Sequence, residues 1–321
     1  MKSILRFSIP SLILAAIVSI SPEAYPDTQE KFHKTIKVEE GKTIEIDNIN
    51  GAVTVSSWEN DYVDVFALKK TRMGRDELDR VTIEIHNNEV LEIITVVDKY
   101  NPDKYSFFER LYYGFQKRNP KVTVDYTVTI PFTCNPGIAK TTNGNVNISG
   151  TSGETLAKTT NGRVHVESVT GHMNAISTNG GIKIMDVDGS ADARTTNGKV
   201  YIEDVSGTVN AKSTNSGIEI IGATELYSAR TTNGNIKISL REHSSGDMDI
   251  STTNGSITLL VPAHFSADVD LKTTNGRIHA ENFTITLKQL SKNHLIGTIG
   301  SGGRFLKMKT TNGSIKLEKS F

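Results

Sequence analysis

The stretch Thr159-Thr160-Asn161-Gly162-Arg163-Val164-His165-Val166 decides the fold, because the chain repeats it. The tetrapeptide at its head starts at Thr141, Thr159, Ser177, Thr195, Ser213 and Thr231, eighteen residues apart. It recurs at Thr252, Thr273 and Thr310, with insertions between. The second residue is Thr and the third is Asn in all nine copies, and the fourth is Gly except at Ser216. A fixed period of this length marks a solenoid or an array.

Counting from the first Thr, the sixth position is always Val or Ile, from Val146 to Ile315. The eighth is aliphatic, from Ile148 to Leu317, and the positions around it are mostly polar. Period-two alternation is the mark of a strand with one buried face. Gly153, Gly171, Gly189 and Gly207 mark a second turn at position thirteen, and Ala157, Ala175, Ala193, Ala211 and Ala229 fill position seventeen. Each repeat therefore reads as two short strands and two turns. One repeat buries too few aliphatic groups to offset the ordering of eighteen residues, so the repeats must stack. Equivalent strands then run the same way. The reading is an all-β, parallel β-solenoid of 18-residue rungs with a β-rich N-terminal capping module. It is taken as right-handed, because left-handed hexapeptide coils need small or aliphatic residues every six, and Val146, Ser152, Lys158 breaks that rule.

The turns are read at Asn143-Gly144, Asn161-Gly162, Asn179-Gly180, Asn197-Gly198 and Asn233-Gly234. Gly is expected there for its freedom at positive φ. Alternation from the Ala at position seventeen points the first Thr and the Asn inward and the second Thr outward. The inward amides are expected to bond along the rod as a ladder.

Outside the repeats, Asn50-Gly51 and the alternating residues around it look like a diverged first rung or cap, and Trp58 falls at a corner. Residues 62–69, 81–86, 89–97 and 122–130 read as strands of a partly antiparallel module closing the open end. The last rung, Thr310 to Leu317, is expected to end the rod, with Glu318 and Lys319 protecting its edge. The domain reading is a signal peptide over 1–24, the capping module over 25–130 with an aromatic insertion at 100–119, and the repeat domain over 131–321. In the insertion, Phe108, Leu111, Tyr112 and Phe115 have the spacing of an amphipathic helix, read either as packing over the N-terminal sheet or as a candidate docking surface for a partner or the membrane interface.

Lys2 and Arg6, the apolar run Phe7 to Ile20 and the polar stretch from Ser21 predict an export signal cleaved after Ala24. The expected location is periplasmic, cell-surface or secreted. No segment after the signal is apolar for long enough to span a membrane as a helix. The cleaved chain would carry 34 Lys and Arg against 35 Asp and Glu, and this balance does not point to nucleic acid. The single Cys134 cannot staple the fold and reads as a small buried filler.

Together, Asn50-Gly51, the repeated Thr-Thr-Asn-Gly-x-Val-x-Ile and the closing Gly300-Ser301-Gly302-Gly303 resemble the bacterial putative adhesin family of exported β-strand-repeat proteins, a domain of unknown function. The resemblance covers roughly 35–321. It implies the fold, and it carries over no catalytic residue, because the family has none established.

The sequence gives little support to an enzyme. The eight His are scattered, and the chain has no metal-ligand spacing, no nucleophile elbow and no phosphate loop, so no catalytic residue, metal or cofactor is assigned. Asp186-Val187-Asp188-Gly189 is only a fragment of a calcium loop. Glu167, Glu203 and Glu281 share an outward position but have no evident acid/base partner. A polysaccharide lyase or hydrolase on a β-helix stays an alternative, as does a self-assembling envelope scaffold.

One outward row is more specific. The residue before the tetrapeptide is Lys140, Lys158, Arg194, Lys212, Arg230 and Lys272, with Ile176 and Ser251 interrupting, and Lys309 before the last copy. Beside it runs the Thr column that includes Thr142, Thr160, Thr196 and Thr232. A stripe of this kind suits an extended anionic envelope polysaccharide or a surface protein as partner. The competing reading is a solvated face whose charges discourage aggregation.

Overall fold

The computed structural model describes residues 28–98, 121–280 and 282–320. Before the repeats lie β1 (Thr28–Lys37), β2 (Thr43–Asp47), β3 (Val53–Trp58), β4 (Tyr62–Thr71), the short helix α1 (Arg75–Asp79), β5 (Val81–Asn87), β6 (Val90–Val97) and β7 (Thr123–Pro131). The repeats form β8 (Asn135–Thr141), β9 (Val146–Ser149), β10 (Thr155–Thr159), β11 (Val164–Ser177), β12 (Ile182–Arg194), β13 (Val200–Lys212), β14 (Ile218–Arg230), β15 (Ile236–Ser245), β16 (Met248–Ser251), β17 (Ile257–Val261), β18 (Ala267–Lys272) and β19 (Ile278–Ala280). The chain closes with β20 (Ile285–Ser291), β21 (His294–Ile299), β22 (Phe305–Lys309) and β23 (Ile315–Lys319).

The alternation in each repeat becomes pairing between repeats. Val164 pairs with Ile182, Ile182 with Val200, Val200 with Ile218 and Ile218 with Ile236, all parallel. The Ala row pairs in the same way, with Ala157 beside Ala175, Ala193 and Ala211 in turn. The result is a solenoid-like stack of parallel strands with two walls. The first wall carries the Ala row and the second the Val/Ile rows. Both send these residues into one continuous core, where Val146, Val164, Val200, Ala157 and Ala175 are fully buried. Within a repeat the chain passes from the second wall to the first through a bend. Its tenth position takes positive φ at Gly150, Ser168, Asp186, Asp204 and Gly222.

The order of layers is not the order of the sequence. At the C-terminal end β16 and β17 pair with β22 and β23, and these pair in turn with β18 and β19. The last repeat is therefore inserted between two earlier ones. The expectation that it ends the rod is corrected: Ile315, Lys316 and Leu317 are paired on both sides. The outer strands at this end are β18, then β21 and β20, both joined antiparallel.

The N-terminal end is built alike. β2 lies between β6 and β8, and β3 between β7 and β9, all parallel. The Asn50-Gly51 copy is thus the second layer and not the first. Outside β7 lie β4 and β1, and outside β6 lies β5, each antiparallel. Lys69 seals this end: it is buried, its Nζ donates to the carbonyls of Leu78 and Val81, and it pairs with Glu30 at 2.9 Å. Leu78 of α1 is fully buried beside it. Trp58 is half-buried, donates to the Tyr62 carbonyl and meets its ring edge-on at 4.7 Å. No helix among the described residues is long and apolar enough to cross a membrane.

Candidate functional site

The tetrapeptide corner has three jobs, taken by its first, third and fourth residues. The first residue points inward as expected and is buried in every copy, from Thr141 to Thr310. Its hydroxyl donates to the backbone carbonyl at the fourth position of the adjacent layer. Thr159 bonds Gly144 at 2.7 Å, Ser177 bonds Gly162 at 2.8 Å, Thr195 bonds Gly180 at 2.9 Å and Thr273 bonds Gly313 at 2.8 Å. A carbonyl shielded from water is costly to leave unpaired, so this position calls for a side chain with a hydrogen-bond donor, and in the nine copies it is Thr or Ser.

The Asn departs from the inward placement. Asn143, Asn161, Asn179, Asn197 and Asn233 are exposed, because the corner turns the third residue out of the strand alternation. The amide ladder exists, but on the surface. Asn143 donates to Asn50 at 2.7 Å, Asn161 to Asn143 at 2.6 Å, Asn179 to Asn161 at 2.6 Å and Asn197 to Asn179 at 2.7 Å. It continues through Asn215, Asn233, Asn254 and Asn312 to Asn275.

The reason for the Gly is also corrected. Gly144, Gly162, Gly180, Gly198 and Gly234 do not take positive φ. They are needed for closeness: a Cβ on Gly162 would lie 1.7 Å from the Gly144 carbonyl oxygen, and one on Gly180 equally near that of Gly162. Positive φ belongs instead to the second turn, at Gly153, Gly171 and Gly189.

The basic row forms one column on the outside of the first wall. Lys140 lies beside Lys158, then come Ile176, Arg194, Lys212, Arg230, Ser251, Lys309 and Lys272. The inserted last repeat puts Lys309 between Ser251 and Lys272, so the column stays continuous where the sequence order breaks. Its members sit about 4.8 Å apart, one per strand. Lys158, Arg194, Lys212, Arg230 and Lys272 are exposed and Lys140 is half-buried. Two are engaged, Lys140 with Asp47 at 3.0 Å and Arg230 with Asp249 at 2.8 Å. Among the described residues Lys158, Arg194, Lys212, Lys309 and Lys272 make no ion pair. A shallow groove runs along the column, lined by Asn174, Asp192, Arg194, Asn210, Lys212 and Arg230. The neighbouring Thr142, Thr196 and Thr232 are exposed and Thr160 half-exposed.

The other candidates are not drawn together. Asp186 accepts from Ser168 at 3.0 Å and Asp188 from Ser206 at 2.8 Å, so both carboxylates are used by neighbouring hydroxyls. Glu203 accepts from Tyr201 at 2.7 Å. Phe108, Leu111, Tyr112 and Phe115 lie outside the described residues. Of the described residues in the strands on either side, Thr95 of β6 donates to Asn48 and the Val124 N–H of β7 to the Asn50 carbonyl. The buried Asn48 was not singled out in the sequence. It takes the place of the inward Thr, donating to the carbonyls of Gly51 and Val124.

The chain is a member of the Toastrack DUF4097 family, whose model matches residues 138–318. No curated protein matches the sequence. Among solved structures, it is similar to a putative adhesin from Bacteroides fragilis at 14% identity, over 90% of this chain and 97% of that one, with a TM-score of 0.41. A putative lipid binding protein from Parabacteroides distasonis is 11% identical over 89% of this chain and 96% of that one, with a TM-score of 0.42. TM-scores of this size leave the likeness without weight for function.

Proposed function

We propose that this Toastrack DUF4097 protein is an exported, non-catalytic binding protein of the adhesin type. In this reading it holds an anionic envelope polysaccharide along the outer face of its first wall. Lys158, Arg194, Lys212, Lys309 and Lys272 are the working cations, with Arg230 and Lys140 partly spent on Asp249 and Asp47. Thr142, Thr160, Thr196 and Thr232 supply hydroxyls to sugar oxygens. The coil is read as right-handed, with eighteen-residue rungs.

The observation that carries the reading is that the unpaired cations Lys158, Arg194, Lys212, Lys309 and Lys272 share one outward column of a parallel sheet, interrupted by Ile176, Ser251 and the paired Arg230. Charges placed for solubility alone have no need to align, and an extended polyanion gains from each one it meets. The export signal over 1–24 agrees with a ligand outside the cytoplasm.

The test is a binding screen of purified protein against acidic and neutral envelope glycans, at two ionic strengths. Binding to acidic glycans that weakens with salt, and is lost on combined Lys158→Glu, Arg194→Glu and Lys212→Glu, supports the reading. Binding that ignores salt or survives those reversals rejects it.

A further inference from the structure

The Asn corners carry a chemical hazard. Eight of the nine tetrapeptides, and the early Asn50-Gly51, place Asn directly before Gly. Asn is a thermolabile residue, and Gly has no side chain to hinder an attack by its own backbone nitrogen. In that attack the Gly nitrogen bonds to the Asn Cγ and closes a succinimide ring. The side-chain nitrogen leaves as ammonia, taking up the proton from the Gly N–H. Water then opens the ring to aspartate, or to isoaspartate with a backbone one carbon longer. The reaction needs the Cγ and the nitrogen brought together in a defined geometry, so whatever holds them apart suppresses it.

Inside the stack both groups are held. Asn161 donates to Asn143 at 2.6 Å and its Oδ1 accepts from Asn179 at 2.6 Å. Asn179 is held in the same way between Asn161 and Asn197. Such an amide cannot swing its Cγ toward the next residue without giving up two hydrogen bonds. The attacking nitrogen is also engaged: the Gly180 N–H donates to the Ser177 hydroxyl at 3.0 Å and the Gly198 N–H to that of Thr195 at 3.2 Å.

The ladder has two ends, and they differ. At one, the Asn50 Oδ1 accepts from Asn143 and the Asn50 carbonyl accepts from the Val124 N–H at 2.7 Å. Gly51 is buried there, with the Val124 carbonyl oxygen 2.2 Å from where a Cβ would stand. At the other end, Asn275 is exposed and donates to Asn312 at 2.8 Å, but among the described residues nothing donates to its Oδ1. The Gly276 carbonyl likewise has no hydroxyl from a further layer, such as Thr159 gives to Gly144. Its strand β19 pairs with β23 alone. Ile278 and Ala280 are only half-buried, where the matching residues of every other repeat are buried.

We propose that the amide ladder protects the interior Asn-Gly pairs from deamidation, and that Asn275, its open acceptor end, is the site where the folded chain is modified. The product at 275 has no N–H left to give Asn312. The longer isoaspartate backbone also has no room, since a Cβ on Gly276 would already lie 1.9 Å from the Gly313 carbonyl oxygen. Modification therefore loosens β19, the outer layer of the second wall, before any corner inside the stack.

The experiment ages the purified protein in mildly alkaline buffer, folded and in urea, and maps aspartate and isoaspartate by peptide mass spectrometry. In urea all the Asn-Gly pairs should react at similar rates. In the folded protein Asn275 should react first, with Asn161, Asn179 and Asn197 slower by roughly tenfold or more, the factor that two ordinary amide hydrogen bonds supply. An Asn179→Ala variant takes the donor from the Asn161 Oδ1 and should make Asn161 labile, while Asn143, which still accepts from Asn161, stays protected. Interior pairs as fast as Asn275, an unreactive Asn275 beside a reactive urea control, or an Asn161 no faster in the variant would overturn the proposal. Should Asn179→Ala not fold, the wild-type map decides alone.

Discussion

Asn312 donates its side-chain amide to Asn254 at 2.7 Å across 58 residues of sequence, and Asn275 donates to Asn312 at 2.8 Å. The last repeat is thus held between two repeats that are already joined by the chain. It cannot form its layer until the β18–β21 excursion has gone out and come back. Deleting residues 305–320 would leave two parallel edges unpaired in mid-stack, and the layer of β18 and β19 would lose its support. The expected outcome is cooperative loss of the C-terminal layers, read as proteolysis inside 262–300 and a broadened denaturation curve. Deleting 177–194, one whole repeat from the regular middle, joins like to like and is expected to leave a shorter rod that unfolds in one transition.

Gly162 sits where a Cβ would be 1.7 Å from the Gly144 carbonyl oxygen. Backbone cannot move aside as a flexible side chain can, so Gly162→Ala should force adjacent layers apart at the corner. Overpacking of this kind costs about 1–3 kcal/mol or more. It should also break the ladder between Asn143, Asn161 and Asn179. The check is urea denaturation of Gly162→Ala beside Ser216→Gly, which restores the common residue and should be neutral or stabilising.

Thr195 and Asn179 belong to one corner but differ in burial, and this separates their contributions. Thr195→Val keeps the shape and removes the hydroxyl that donates to Gly180 at 2.9 Å. The part-buried carbonyl then loses its donor, at a cost toward the lower end of roughly 1–3 kcal/mol. Thr195→Ser should restore most of it, since Ser177 and Ser213 do the same work. Asn179→Ala removes two exposed ladder bonds that water can replace, and should cost about 1 kcal/mol or less. Equal losses from Thr195→Val and Asn179→Ala in chemical denaturation would contradict this division.

The strands were legible because their signals are local. The aliphatic residues at the sixth and eighth positions declare one buried face without help from the rest of the chain. The layer order was not legible, since Thr252, Thr273 and Thr310 head near-identical repeats and nothing local says which stacks on which. The order shows only in the pairings of the assembled stack, where β22 and β23 lie between β16 and β17 on one side and β18 and β19 on the other. Strand alternation places the Asn inward, but at the corner the backbone no longer alternates and the side chain turns out. Dihedral freedom is not what the Gly supplies: the deciding contact is with another layer, which no single repeat contains. Of the candidate site, the basic column was legible, and its continuity through Lys309 became visible only once the last repeat had been placed between its neighbours.

Tyr126 gives the N-terminal end a test by pH. Its ring is buried in the layer next to β3, its hydroxyl lies 2.8 Å from that of Thr95, and Thr95 donates to Asn48. Burial disfavours the phenolate and pushes the Tyr126 pKa up to about 12, although the Thr95 hydrogen bond works the other way. In the unfolded chain the phenol ionises near 10. Below pH 10 both states hold the proton and stability is indifferent to pH through this group. Between about 10 and 12 the unfolded state sheds its proton while the folded state keeps it. Unfolding is then increasingly favoured as pH rises, by roughly 2–3 kcal/mol across the window. Tyr126→Phe loses the bond to Thr95 and should be less stable at neutral pH, yet its stability should fall less steeply from pH 10 to 12. Parallel curves for the two proteins in urea denaturation across that range would show that Tyr126 ionises as freely when folded as when unfolded.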